Sequence, residues 1–175
     1  MLQTPRNKRL SRLVRASNEQ TKSWKEGVSL QDEFGQTIPE LINRAAADRW
    51  YFAYEHRHNA NKLLESKPPR YRSTISRFYY SMYHAIRACV FVSHQGDDYE
   101  RHSDLLKYNK LSGFPSNLNW QNILKDAREL RNRADYDPYP KSNTAWKQGA
   151  LDLKKDADLF LSTTRAYLQK KGAIL

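Results

Sequence analysis

The sequence predicts an all-α protein, built as an antiparallel bundle of four main helices plus one short helix. Three observations predict it. Apolar residues recur at spacings of three and four over long segments. No segment alternates convincingly at the period of two that a half-buried strand needs. The breaks Lys67-Pro68-Pro69, Gly113-Phe114-Pro115 and Pro138 with Pro140 divide the periodic segments from one another.

The chain of 175 residues is long enough for one ordinary domain with a tail, or at most two small ones. We divide it into a basic N-terminal extension over 1–36 and a helical domain over 37–171. Residues 1–30 show no sustained period. Leu10, Leu13 and Val14 there form at most one short amphipathic turn, and Asp32 to Thr37, with Gly35, reads as a loop.

The first domain helix spans Pro39 to about Ser66. Thr37 is its N-cap, with Glu40 at the capping-box distance and Pro39 in the first turn. Leu41, Ala45, Asp48, Phe52, His56, Asn59 and Leu63 follow its repeat, flanked by Ile42, Ala46 and Leu64. His56 and His58 point to different faces, so they read as helix surface rather than a chelating pair. The second helix runs from about Arg70 to Val92, with Ile75, Phe78, Tyr79, Met82, Tyr83, Ile86, Cys89 and Val90 on one face. Ser81, Ala85 and Ala88 permit close helix contact on another side. A helix apolar over most of its circumference belongs at the centre of a fold. His84 falls opposite the stripe, at about 180° from Ile75, as a partly exposed histidine.

His102-Ser103-Asp104-Leu105-Leu106 starts the short helix. The next long helix carries Trp120, Ile123, Leu124, Ala127, Leu130 and Ala134 in a stripe about 120° wide. Arg131 lies inside that stripe, where a guanidinium is costly unless something anionic meets it. Two explanations stand. Arg131 pairs with Asp135 at i, i+4, or the stripe faces a cleft or second subunit in which Arg131 binds phosphate. The last helix spans about Asn143 to Lys170, with Trp146, Ala150, Leu153, Ala157, Phe160, Leu161 and Leu168 as its face and Gly172 just past its end.

Composition limits the function. No apolar run approaches the roughly 18 residues that span a bilayer, and Met1 to Arg15 has no apolar stretch of secretory type, so a cytoplasmic protein with no membrane partner is expected. A single cysteine, Cys89, excludes an internal disulfide and a cysteine-based zinc site. No cofactor and no metal is expected. The net charge of +11 and pI of about 9.8 favour a polyanionic partner. Seven basic against two acidic side chains in the first 30 residues supply close to half of that excess. Arg6, Lys8, Arg9 and Arg12 there, with Arg128 and Arg133 on the Arg131 helix, are the candidate nucleic-acid contacts.

Three blocks resemble the HEPN superfamily (higher eukaryotes and prokaryotes nucleotide-binding), particularly its small stand-alone prokaryotic members often encoded beside minimal nucleotidyltransferases. They are Arg77-Phe78-Tyr79-Tyr80-Ser81-Met82-Tyr83-His84-Ala85, Arg101-His102-Ser103 and Leu130-Arg131-Asn132-Arg133-Ala134-Asp135-Tyr136. The resemblance covers roughly residues 40–170. It implies a homodimer that binds RNA in a shared groove, and a metal-independent endoribonuclease acting as a toxin or defence effector. Arg131 and Asn132 match the first two signature positions, and Tyr136 stands where the signature has histidine. The candidate catalytic set is therefore Arg131, Asn132, Tyr136 and His102. The resemblance also implies a nucleotidyltransferase antitoxin or defence-complex subunit as partner, with Tyr139 the candidate modification site beside Tyr136. An inactive HEPN module that binds a nucleotide or a partner protein is the alternative, because tyrosine, with a reference pKa of ~10, is a poor base at neutral pH.

Overall fold

A computed structural model describes residues 5–95, 105, 111–116 and 118–175. Among them the chain is helical, with no strand: α1 (Pro5–Val14), α2 (Asn18–Phe34), α3 (Ile38–Glu65), α4 (Tyr71–His94), α5 (Trp120–Tyr136) and α6 (Lys147–Lys170), with a 3-10 turn at Asn143–Trp146. The all-α class follows from the sequence as expected. The chain falls into two compact units, Met1–Leu41 and Ile42–Leu175.

The N-terminal unit is more ordered than the sequence reading expected. Instead of a single short turn and a loop from Asp32, it forms two helices. Local capping explains this. The Gln20 amide donates to Ser17 Oγ at 3.2 Å while the Ser17 amide donates to Gln20 Oε1 at 3.0 Å, which starts α2. Gly35, at φ 62°, ends it in the left-handed conformation glycine adopts without strain. No residue of α2 is buried, so caps hold it where packing periodicity is weak. Thr37 and Glu40 form the expected reciprocal cap at the start of α3, with the Thr37 amide donating to Glu40 Oε2 at 2.7 Å.

In the second unit α4 is the central element, packed against α5 and α6. Ile75, Phe78, Tyr79, Met82, Tyr83, Ile86, Cys89 and Val90 are buried, and so are Ser81, Ala85 and Ala88 on the other side. Burying both sides of one helix removes it from water almost entirely, at about 25 cal/mol per Å² of apolar surface. The face predicted for α6 is buried throughout, from Trp146 to Leu168. Gly149 on α6 marks a close approach, since a Cβ there would lie 3.2 Å from Leu130 Cδ2 of α5.

The buried face of α3 differs from the sequence expectation. Ala46, Trp50, Ala53, His56 and Ala60 are buried, whereas Ala45, Asp48, Phe52 and Asn59 are exposed. Alanines at 46, 53 and 60 are fully buried on this face, and the Trp50 indole between them reaches α6, donating to Thr164 Oγ1 at 3.1 Å. A wide apolar side chain at position 52 misled the periodicity because small residues carry this contact.

The short helix beginning at His102 lies outside the described residues. Leu105 alone is described there, and it is fully buried. Arg72 fastens the end of α5. Its Nε donates to the Ala134 carbonyl at 2.6 Å and its Nη2 to the Asp137 carbonyl at 2.5 Å, and the guanidinium carbon lies 5.1 Å from the centre of the Trp146 ring. Orphan carbonyls at a helix C-terminus carry partial negative charge, so a cation is well placed there.

Candidate functional site: an arginine among aromatic rings

Arg131 lies on α5, with its side chain 16% exposed, and every guanidinium nitrogen has a neighbour on the chain. Nη1 donates to Asn132 Oδ1 at 3.0 Å, and Nη2 donates to the Tyr80 hydroxyl of α4. Nε lies 2.9 Å from Asp135 Oδ2, but its N–H does not point along that line, so the contact is an ion pair without a hydrogen bond. Ser76 Oγ donates to the same carboxylate oxygen at 3.2 Å. The guanidinium carbon lies 5.1, 5.5 and 5.8 Å from the ring centres of Tyr80, Tyr136 and Tyr79. Burial works against the charge of Arg131, and Tyr80, Asp135 and Tyr136 outweigh it, so its pKa is raised further and the group stays cationic.

The sequence posed an internal ion pair against a phosphate-binding arginine. The ion pair is present.

A second group of rings continues from Tyr80. The His56 ring of α3 stacks on Tyr80, with centres 5.6 Å apart, and on the His84 ring of α4 at 5.4 Å and 8° between planes. Phe52 meets both imidazoles edge-on at 4.6 Å. Tyr83 meets His84 at 5.2 Å and 73°. Arg77 Nη1 lies 3.5 Å from His56 Nδ1. A guanidinium only donates, so this long contact favours the tautomer with the proton on Nε2. Burial first, and Arg77 second, push the His56 pKa down against a smaller opposing pull from Glu55. Burial likewise pushes the Tyr79 phenol well up.

Of the predicted site residues, Arg131, Asn132 and Tyr136 come together. Tyr136 is 72% exposed and presents its ring to Arg131. Tyr139 is also exposed, with Lys141 Nζ 5.6 Å from its ring centre. Arg128 is partly buried on α5 near enough to Tyr79 to act on its charge, and Arg133 is exposed. Arg9 and Arg12 are exposed in the N-terminal unit. His102 lies outside the described residues, and so do the side chains of Arg6 and Lys8.

Sequence reasoning missed Tyr80, His56 and Arg72. A signal for the first existed: Ser76, Tyr80, His84 and Arg87 form a polar line at spacings of four, four and three on an otherwise apolar helix. His56 lies on the repeat read for α3, four residues after Phe52 and three before Asn59, yet the sequence reads it as helix surface, whereas it is buried. Among the described residues no group of histidines, cysteines and carboxylates could hold a metal ion, and no helix is long and apolar enough to cross a membrane.

A hollow of about 480 Å³ between Leu111, Phe114, Leu118 and Trp120 lies at the opposite end of α5 from Arg131. Its lining has no charged side chain. Comparison with protein families matches residues 46–169 to the HEPN domain. Comparison with curated proteins gave no match, and neither did comparison with solved structures.

Proposed function

Because the chain belongs to the HEPN family, whose functions are nucleotide- or RNA-related, we propose that it is a metal-independent endoribonuclease that holds an RNA phosphodiester on Arg131. One observation carries this reading: Arg131 is kept charged, fixed from three sides and ringed by tyrosines. Pre-set donors of this kind stabilise charge as it develops on phosphorus, because they need no reorganisation at the moment of reaction. Asn132 and Asp135 orient the guanidinium. Tyr136, with most of its ring in solvent, offers a face for an unstacked base. In an isologous dimer two copies of this site share one groove and concentrate its charge. The basic Arg9 and Arg12 add sequence-independent affinity. In this reading the protein is a toxin or defence effector, and Tyr139 or Tyr136 is the tyrosine open to a nucleotidyltransferase partner.

The test is cleavage of a mixed tRNA and mRNA pool by the full chain and by Arg131→Ala, with EDTA present. Cleavage by the wild type that vanishes in the variant supports the reading. An intact pool with both proteins overturns it.

A second reading has its own observation. The guanidinium already has a partner at each nitrogen, and a tyrosine stands at the signature histidine position. A HEPN module that binds RNA or a nucleotide without cutting it is compatible with both facts. It predicts RNA binding that depends on Arg131 with no cleavage.

A further inference from the structure

The ribonuclease reading leaves one role empty: Tyr136 is a poor base, yet a 2′-hydroxyl must lose its proton as it attacks phosphorus. Resting on that reading, we propose that His84 takes this proton and that His56 is the positioning residue that holds the His84 ring.

The placement argues for it. Tyr80 donates nothing to Arg131 but accepts from its Nη2, so the Tyr80 ring forms one wall of the guanidinium site. On the same helix, one turn further, the His84 ring lies 6.3 Å from the Tyr80 ring at 25° between planes. Tyr80 and His84 are thus on adjacent turns of the central helix α4, and the Tyr80 ring stands between His84 and the Arg131 guanidinium that reaches it from α5. A site built on a helix is held more closely than one built on a loop.

His84 is also held far more firmly than a surface histidine needs. His56 stacks on it nearly parallel, Phe52 and Tyr83 meet it edge-on, and Tyr80 lies against it at the shallow angle given above. His56 is buried, so it serves as a floor, while His84 keeps partial contact with solvent. Simple packing does not account for two imidazoles at this position. A pair of leucines or phenylalanines would fill the space without the cost of burying ring nitrogens.

The charged groups around the pair are specified. Arg77 and Glu55 act on His56, Arg87 lies over Tyr83 with its guanidinium carbon 5.5 Å from the ring centre, and Arg131 bonds Tyr80. Cations outnumber anions here. Burial and Arg77 keep the His56 imidazole neutral beside His84, so the stacked pair holds no fixed positive charge from His56.

The step balances within the RNA. The 2′-oxygen bonds to the adjacent phosphorus and its proton passes to the His84 imidazole. The bond from phosphorus to the 5′-oxygen breaks, and the proton returns to that oxygen. The products are a 2′,3′-cyclic phosphate and a 5′-hydroxyl, and the protein ends unchanged.

The experiment is cleavage of a defined RNA oligonucleotide by the full chain from pH 5 to 9 in EDTA, with kcat and KM measured for wild type, His84→Asn, His84→Phe and His56→Phe. A positioned base contributes about 10²–10⁴-fold. The expected result is that both His84 variants lose kcat on that scale with little change in KM, and lose the acidic limb of the pH profile. His56→Phe keeps a ring against His84 but loses the imidazole, so it is expected to lower kcat by less than the His84 variants, leave KM unchanged and displace that limb; wild-type kcat and an unmoved limb in His56→Phe overturn the positioning role. His84→Phe keeps the ring packing, so its loss of activity with an unchanged melting curve reports chemistry rather than folding. Wild-type rate and pH profile in either His84 variant overturn the proposal while leaving the ribonuclease reading intact. No cleavage by the wild type overturns both.

Discussion

Tyr80→Phe removes a single oxygen atom and keeps every ring contact, so it isolates the hydrogen bond that Arg131 makes across to α4. The Tyr80 ring stays stacked on His56 and edge-on to Tyr79, whose centre is 5.3 Å away. What is lost is the acceptor for Arg131 Nη2. A hydrogen bond to a charged group contributes about 1.5–3 kcal/mol when dry. Tyr80 and Arg131 are both part-buried, so the lower end of that range applies. At 1.4 kcal/mol per factor of ten, the guanidinium loses enough fixing to slow RNA cleavage roughly tenfold. Fold stability falls by about 1 kcal/mol, a shift of roughly 2–4 °C for a chain of this size. The assay pairs single-turnover cleavage with thermal melting monitored by circular dichroism. A variant that melts within that window but cleaves at the wild-type rate refutes the claim that the Tyr80 hydroxyl sets the arginine.

Three further outcomes follow from the geometry. The His56 pKa is lowered in the folded chain, so between its folded value and the ordinary ~6.5 the unfolded chain binds more protons; stability then rises with pH and is lost as pH falls below about 6.5. Melting at pH 5 and pH 7.5 should show a smaller difference for His56→Phe than for wild type, and an equal difference contradicts the assignment. Arg72→Ala removes two bonds to carbonyls at the end of α5 and the contact with Trp146, so it should cost about 1–2 kcal/mol and speed amide exchange in the last turn of that helix. Gly172→Ala should destabilise by about 1 kcal/mol by denaturant unfolding, because φ there is 98° and an added Cβ would lie 3.1 Å from Asn43 Nδ2.

The long helices were legible in the sequence because their apolar spacing is strong. The faces of α4 and α6 are buried as read, and Arg131 stands out through the cost of a cation on an apolar stripe. Two parts were not legible, for definite reasons. The helix α2 depends on caps at Ser17, Gln20 and Gly35 rather than on a buried face, so no periodicity marks it. The buried face of α3 is made largely of alanines, which carry little weight in a hydrophobic pattern. That same contact buries His56, and no spacing within α3 connects it to Tyr80 and His84 on another helix. Asp135 was read correctly as a partner of Arg131, whereas Tyr80 was hidden because its bond joins residues 51 positions apart.

The central claim is that Arg131 meets an RNA phosphate. Its most direct test is fluorescence anisotropy of a 2′-O-methyl RNA oligonucleotide, which cannot be cut, with wild type and Arg131→Ala over a range of salt concentrations. Loss of a phosphate contact should weaken binding roughly 10- to 100-fold at every RNA sequence and lower the salt slope by about one. Equal affinity and equal slope for the two proteins would contradict the claim and leave Arg131 as a structural ion pair with Asp135.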